Sequence, residues 1–250
     1  NYETGFGVQI WKNYEDGMRI FLRDPFGDAE FELLPIRGTD RIRIGETELL
    51  IYYGEPSPFN AAQEIYIEFV PEQAYVESGI WIFRFLGKGR EDTYVDLWLP
   101  SSAALGQNTA FLEPSPETTL TIPSTAFRPL TVGAYDSRTG IYAPFSGRGD
   151  TRIYHAQKPD LAAPGVGIMA PKSGGGYEAV TGTSFAAPLV AGAAALLMEW
   201  GIVRGNDPYL YGEKVKAYLR KGAKRLPSEL EYPNPRLGYG ALCVSESIPE

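Results

Sequence analysis

The chain has 250 residues and a formal net charge of −8, and its 44% hydrophobic and 22% charged residues are typical of a folded globular protein. It contains one histidine, His155, and one cysteine, Cys243, which excludes an internal disulfide, a zinc finger and a histidine-rich metal site. We therefore expect no metal and no cofactor.

The negative charge is concentrated in residues 1–100, whose net charge is −9, whereas residues 101–250 carry +1. Neither part has the basic face that binding to a phosphate backbone requires, which argues against nucleic acid as a partner. The longest apolar stretch, Phe185 to Met198, contains a proline and a glycine. Because it is too short to cross about 30 Å of hydrocarbon, we expect no membrane span.

Residues 1–100 are predicted to be all β. Short runs of alternating or clustered β-branched and aromatic residues are separated by Gly, Pro and Asp. The predicted strands are 18–23, 31–34, 41–44, 48–53, 64–69, 79–85 and 94–99. Regular short strands with frequent turns are typical of an antiparallel β-sandwich or jelly roll, which we place at residues 1–105.

Aromatic residues of this first part offer an alternative function. Tyr52, Tyr53, Trp81 and Trp98 would together form a platform for a glycan or a peptide. Strand alternation places most of them in the core, however, and aromatic stripes usually serve packing. A binding module is therefore the minor interpretation of this part.

The composition changes after about Pro100, and residues 101–126 are rich in Ser, Thr, Ala and Pro, as in a connector. Strands are predicted at 130–135 and around 140–145, followed by a Gly/Pro/Ala-rich stretch at 158–176. A helix from Thr183 to Trp200 is apolar on nearly every side, which predicts burial in a core. A more polar helix is predicted at 212–222. We therefore expect an α/β domain at 106–250, distinct from the sandwich.

The segment Gly-Thr-Ser-Phe-Ala-Ala-Pro-Leu-Val-Ala-Gly at 182–192 is the most informative stretch. It places Ser184 at the opening of the apolar helix, where the helix dipole favours developing negative charge. Pro188 cannot donate to the carbonyl of Ser184, which loosens the first turn. A serine in this position suits an acyl-transfer nucleophile with one backbone oxyanion donor. The structural alternative is a plain serine that caps an alanine-rich core helix.

The whole string resembles the serine motif of the subtilisin-like serine proteases, the subtilases (peptidase S8 type). Further segments resemble the same family in its order, at 131–134, 144–149, 158–166 and 237–240, so that the likeness covers about residues 120–245. The resemblance implies the C-terminal half of a subtilisin-like α/β domain and peptide-bond hydrolysis through an acyl-enzyme. Ser184 would be the catalytic nucleophile, supported by Gly182 and Thr183 of its motif.

The first hundred residues have no counterpart in a minimal subtilase. They resemble a jelly-roll insert between the segment of the oxyanion asparagine and the strand before the serine. Clostridial subtilases of the germination-protease (Csp) type carry such an insert, and the chain resembles them in this respect.

The other catalytic groups of the family are not found in this sequence. A subtilase triad runs Asp, His, Ser in chain order, and the Asp-Thr/Ser-Gly and His-Gly-Thr motifs are absent. His155 lies after the insert without its Gly-Thr partner, Asp160 belongs to the Lys-Pro-Asp segment, and Asn108 does not match the oxyanion motif. Only Ser184 is carried over from the family.

We therefore interpret the chain as the C-terminal portion of a longer protease, inactive alone because a serine without an aligned base is a poor nucleophile. Its partners would be a peptide or protein substrate and the N-terminal segment of the same protease. A face of the helix from Thr183 would then lack its cover, and the chain would form a homodimer or order only partly. The alternative is a non-catalytic pseudoprotease with a regulatory or binding role.

Overall fold

The computed structural model describes residues 2–27, 30–36, 38–87, 93–101, 103–106, 108–149 and 157–249. The chain divides into two compact units, Asn1–Leu112 and Glu113–Glu250. The division falls seven residues after the boundary that the change in composition suggested.

The described residues of the first unit form eight strands in two antiparallel sheets. The strands are β1 (Phe6–Asn13), β2 (Arg19–Arg23), β3 (Glu30–Leu33), β4 (Gly38–Ile44), β5 (Thr47–Tyr53), β6 (Ala62–Pro71), β7 (Ile82–Leu86) and β8 (Val95–Trp98). One sheet has the order β4-β5-β6-β1-β8 and the other the order β3-β2-β7.

Alternating apolar side chains join the two sheets through one core. In the five-stranded sheet, Ile51 of β5 lies opposite Ile67 of β6, and both are at most 1% exposed. They share a buried cluster with Leu22 of the three-stranded sheet. The hydroxyl of Tyr53 donates to the carbonyl of Leu33, 2.7 Å away, and burial raises the pKa of Tyr53 to about 12. The predicted antiparallel pairing is therefore present, with two sheets packed face to face.

Strand β1 was not predicted, although it lies centrally between β6 and β8. Phe6, Val8 and Ile10 alternate with Gly7 and Gln9, which is the period of a half-buried strand, so the sequence carries a strand signal that the prediction missed. A Cβ at Gly7 would lie 2.2 Å from the hydroxyl of Tyr66, so the glycine makes room for a side chain of the neighbouring strand. The strand depends on pairing with residues about 60 positions away.

Five short strands and three α-helices are present in the described part of the second unit. They are β9 (Val132–Asp136), β10 (Ile141–Tyr142), β11 (Leu161–Pro164), β12 (Ile168–Pro171), β13 (Tyr177–Val180), α1 (Thr183–Met198), α2 (Gly212–Lys221) and α3 (Val244–Ser247). Strands β9 and β11 are parallel, β10 pairs with β9 in the antiparallel sense, and β12 and β13 form a separate hairpin.

Strands β11 and β12 lie in the Gly/Pro/Ala-rich stretch, where no strand was predicted. The side chains of Ala162 and Ala163 are fully buried, and Ala163 packs in the same cluster as α1. Small residues allow the helix to approach the sheet closely, but they give no periodic signal in the sequence. The two strands were therefore not predicted.

Helix α1 continues as a π-helical turn, Glu199–Val203, which extends the predicted helix by three residues. Its buried stripe, Ala186, Val190, Ala193 and Leu197, packs in one cluster with residues of β9 and β11. The opposite face is apolar and exposed, since Leu189, Leu196 and Met198 are 40%, 49% and 47% exposed. The prediction that α1 is buried on all sides is therefore wrong. The prediction that one face of α1 is left uncovered in this chain agrees with these exposed side chains.

Candidate functional site around Ser184

The entrance to α1 is shaped by two glycines. Gly182, the residue before the helix, has φ +153°, a conformation that residues with a side chain rarely adopt. Its N–H donates to the carbonyl of Gly165, 2.8 Å away. A Cβ at Gly165 would lie 2.7 Å from the Cβ of Ala134 on β9, so only glycine lets these segments meet. The loop before the serine is thus fixed against the sheet.

Ser184 is the second residue of α1 and is exposed. Among the described residues no hydrogen bond engages its hydroxyl, and no side chain caps the helix. The interpretation of Ser184 as a plain capping serine is therefore wrong. Its N–H lies in the first turn, where helix N–H groups have no partner within the helix and favour negative charge.

Pro188 lies inside α1, as the motif predicted, and is exposed. Because proline has no N–H, the carbonyl of Ser184 receives no bond from position 188. The helix nevertheless runs on without a break to Met198.

A cavity of about 440 Å³ in the second unit has Thr183 in its wall, next to the serine. Its other walls include Thr119, Thr121, Ser146 and Arg148. Most of these side chains are polar, and Arg148 is paired with Glu117 at 2.6 Å. The sequence analysis named no substrate-binding residue, because these positions lie in a Ser/Thr-rich connector and a glycine-rich loop that carry no periodic signal.

Asp160 is not available as a triad member. Its side chain is fully buried. The carboxylate accepts hydrogen bonds from the N–H of Thr131 at 2.6 Å, from the ammonium of Lys158 at 3.0 Å and from the guanidinium of Arg220. It also lies 3.1 Å from the ammonium of Lys216. Burial alone would raise the pKa of Asp160, but the Thr131 amide and the two bonded cationic groups outweigh it and lower that pKa. This geometry agrees with the assignment of Asp160 to the Lys-Pro-Asp segment and not to a catalytic triad.

The other two candidates do not lie in the described part of the second unit. His155 lies outside the described residues. Asn108 belongs to the first unit, where it is exposed and lines a separate cavity of about 540 Å³. Within the part of the chain that the structure describes, no group of His, Cys, Asp and Glu could hold a metal ion.

The four aromatic residues proposed as a platform do not share a surface. Tyr53 is buried, whereas its neighbour Tyr52 on the opposite face of β5 is 46% exposed. Trp81 packs edge-on against Phe69, with ring centroids 5.2 Å apart. Tyr52 and Trp98 share one face of the five-stranded sheet, with Tyr66 and Gln9 between them, so only two of the four rings lie on a common surface.

The apolar helix is longer than the sequence analysis assumed. By length and composition alone, Thr183–Val203 could cross a membrane. One such helix is weak support for a span, since core helices of folded domains have the same properties. The length argument against a span is therefore wrong, and the absence of a span stays a prediction.

Known proteins resemble the chain over both units. The structure of the Clostridium perfringens CspB protease matches with a TM-score of 0.88 and 37% identity, covering 98% of this chain and 51% of that chain. The serine protease AprX of Bacillus subtilis (strain 168) is 32% identical in an alignment 152 residues long, and this alignment covers 52% of this chain and 32% of AprX. The subtilisin-like protease SBT3.16 of Arabidopsis thaliana is 49% identical over 57 residues, 22% of this chain and 8% of that protein.

The chain thus spans about half of CspB and about a third of AprX. The resemblance to Csp-type proteases is confirmed by the match to CspB. A profile of the Subtilase family (Peptidase_S8) matches residues 102–240, which is more than half of the chain. The chain therefore belongs to the subtilase family.

Proposed function

We propose that the chain carries the nucleophile of a serine endopeptidase, Ser184, which hydrolyses peptide bonds through an acyl-enzyme. The proposal rests on the exposed hydroxyl of Ser184 at the start of α1, which has no hydrogen-bond partner among the described residues. A serine hydroxyl that does not cap the helix and is not buried against other side chains can reach the carbonyl carbon of a substrate. Membership of the subtilase family supports the same role.

In this mechanism the Oγ of Ser184 attacks the scissile carbonyl while a histidine takes its proton. The carbonyl oxygen becomes an oxyanion, which the N–H of Ser184 and the positive end of α1 stabilise. The amine then leaves with the proton from the histidine, and water hydrolyses the resulting ester. The rigid loop at Gly182 fixes the direction of the nucleophile.

The histidine, the aspartate and the oxyanion asparagine are proposed to come from an N-terminal segment of the complete protease. The sequence of this chain holds one histidine, and no Asp-Thr/Ser-Gly or His-Gly-Thr motif. Residues 1–250 alone are therefore proposed to be inactive. The cavity beside Thr183 is proposed to receive a substrate side chain.

The first unit is proposed to be a jelly-roll insert of this protease. Its two antiparallel sheets with one shared core support this assignment, as does the match to CspB over nearly the whole chain. The insert contributes no residue to the proposed chemistry.

The second candidate is a pseudoprotease, favoured by the missing triad motifs. The presence of an exposed Ser184 favours the enzyme instead, because a protein that has lost catalytic activity does not require an accessible serine hydroxyl.

A fluorophosphonate probe, which reacts with activated serines, separates these candidates. The complete protease should be labelled, and Ser184→Ala should abolish labelling, whereas Ser173→Ala, another exposed serine of the same unit, should leave it unchanged. Residues 1–250 alone should react at least about 10⁴-fold more slowly, because the base is missing. A complete protein that is not labelled would support the pseudoprotease.

A further inference from the structure

The cavity of about 540 Å³ in the first unit lies at one side of the β-sandwich. Leu97 of β8 and Phe83 of β7 both line it, so it is placed where the two sheets end on the same side. Among the described strands, β8 pairs with β1 alone and β7 with β2 alone, and no strand joins these two edges. The apolar interior of the sandwich therefore opens between them.

Aromatic side chains form one wall of this cavity, and they hold one another in place. The rings of Phe6 and Phe69 stack with centroids 4.8 Å apart, and Trp81 packs edge-on against Phe69 at 5.2 Å. The indole N–H of Trp81 donates to the carbonyl of Glu77, 3.2 Å away, so the polar atom of this ring has a partner within the chain. The wall is thus a preformed apolar surface of flat rings, which suits a flat apolar molecule.

A second wall, residues 108–112, is held by a buried carboxylate. Glu3 is 7% exposed, and it accepts hydrogen bonds from the N–H of Gly106 and from the hydroxyl of Thr109, both at 2.6 Å. Charge-assisted hydrogen bonds of this length are among the stronger ones in proteins. They fix this segment beside the aromatic wall.

The size and the charge of the cavity define a class of ligand. Its volume lies within the range of about 300–1,000 Å³ that is typical of pockets for small molecules. Its wall contains the acidic residues Glu3 and Glu77, and none of the described residues in it is Lys, Arg or His. Oε2 of Glu77 is buried and has no hydrogen-bond partner among the described residues. Such a wall favours a ligand that donates a hydrogen bond or carries positive charge, and it disfavours an anion.

We propose that this cavity binds a small aromatic molecule that carries a hydrogen-bond donor and no negative charge. The rings of the ligand pack against Phe6 and Trp81, and its donor lies on the acidic side of the wall. The site goes beyond the proposed function, because it lies within the first unit and uses no residue of the proposed chemistry.

The test compares two fluorescent probes that differ in one group. N-phenyl-1-naphthylamine is neutral and has an N–H donor, and 1-anilinonaphthalene-8-sulfonate has the same rings with an added sulfonate. Each probe is titrated into residues 1–250 with Ser184→Ala, and its fluorescence rises in apolar surroundings. We expect the neutral probe to have a Kd at least about tenfold lower, because burying an anion beside carboxylates is costly. Equal Kd values would overturn the proposed ligand class.

A ring placed inside the cavity should block it. Ala110 is exposed and lines the cavity, whereas Ala103 is an exposed alanine of the same unit that does not line it. We expect Ala110→Phe to raise the Kd of the neutral probe about tenfold and Ala103→Phe, the matched control, to leave it unchanged. Both variants keep the exposed face of α1, so binding there cannot produce the difference. Circular dichroism checks that their folds and melting temperatures agree, and equal Kd values would overturn the proposal.

A second variant tests the charge of the wall without filling the cavity. Ile80 lines the cavity and is 57% exposed. Ile80→Lys should strengthen binding of the sulfonate probe, because it supplies the positive charge that the wall lacks. Ile36→Lys changes a 47% exposed isoleucine outside the wall and should have no such effect. The same sulfonate Kd in both lysine variants would contradict the assigned site.

The complete protease with Ser184→Ala distinguishes a ligand site from a contact within the protein. A retained difference between Ala110→Phe and Ala103→Phe in the complete protein would support the proposal. Loss of the neutral probe from the complete protein would overturn it, by assigning the cavity to the N-terminal segment.

Discussion

The backbone of Gly182 sets the start of α1, and with it the position of Ser184, the proposed nucleophile. Its φ of +153° lies in a region that a side chain disfavours, while a Cβ there would meet the Phe185 ring only at an ordinary 3.5 Å. The requirement for glycine is thus one of backbone conformation rather than of space.

We expect Gly182→Ala to lower the free energy of unfolding by about 1–3 kcal/mol, the usual cost of holding such a conformation. Urea denaturation of residues 1–250 measures this. Gly192→Ala is the control, because nothing lies within 4 Å of a Cβ at that helical position, and it should stabilise by about 0.5–1 kcal/mol. Equal effects of the two substitutions would contradict the assigned role of Gly182.

Asp160 is the second residue whose substitution is expected to lower the free energy of unfolding strongly. Its buried carboxylate is surrounded by Lys158, Lys216 and Arg220, so Asp160→Asn would leave buried cations without their counter-charge. We expect a loss of about 3–5 kcal/mol in the free energy of unfolding. Asp136→Asn, which breaks the surface pair with Arg138, should have a small effect.

The carboxylate of Asp160 is also expected to make the stability of the fold depend on pH. The pKa of Asp160 is lower in the folded state than in the unfolded chain, where it is about 3.9. The ionised carboxylate therefore stabilises the fold at pH values above the unfolded-state pKa. This stabilisation is lost as the pH falls through the lower pKa of the folded state. Urea denaturation between pH 5 and 2 should therefore show a weaker acid dependence for Asp160→Asn than for the unchanged chain. Parallel curves would contradict this assignment.

At the scale of elements, α1 has two faces with different surroundings. Leu197 is fully buried against the sheet, whereas the adjacent Leu196 is 49% exposed. The sequence predicted the helix correctly but could not tell these two leucines apart, since both fit an apolar helix. Their difference depends on which side meets β9 and β11.

We expect Leu197→Ala to cost about 2–5 kcal/mol in the free energy of unfolding, from lost burial and the cavity that remains. Leu196→Ala in residues 1–250 should change it by less than about 1 kcal/mol. The proposed N-terminal segment would cover this face, so Leu196→Ala should cost more in the complete protease. Equal losses for the two substitutions in residues 1–250 would contradict the two-faced helix.

At the scale of the whole molecule, the exposed face of α1 has a consequence for association. Leu189, Leu196 and Met198 are exposed apolar residues on the solvent side of α1, and Val203 in the following turn is 78% exposed. Surfaces of this kind mark contacts with other proteins or with the remainder of a domain.

We expect residues 1–250 to self-associate through this face in sedimentation experiments. Leu196→Lys should shift the distribution towards monomer, because a charge on the face opposes its burial. Phe59→Lys, which changes a 94% exposed apolar residue of the first unit, is the control and should have no such effect. A monomer with full hydrogen-exchange protection of α1 would contradict the expectation.

The sequence by itself predicted most strands of the first unit, the two main helices and the family, and it named Ser184 as the candidate nucleophile. Strand alternation at Ile51 and Ile67 and the string around Ser184 are local patterns, which the order of residues carries without reference to distant partners. Only the tertiary structure decided the central place of β1, the exposed face of α1 and the cluster at Asp160. Each of these depends on residues far apart in the chain, such as Lys216 and Arg220 beside Asp160, and long-range contact leaves no periodic trace in the sequence.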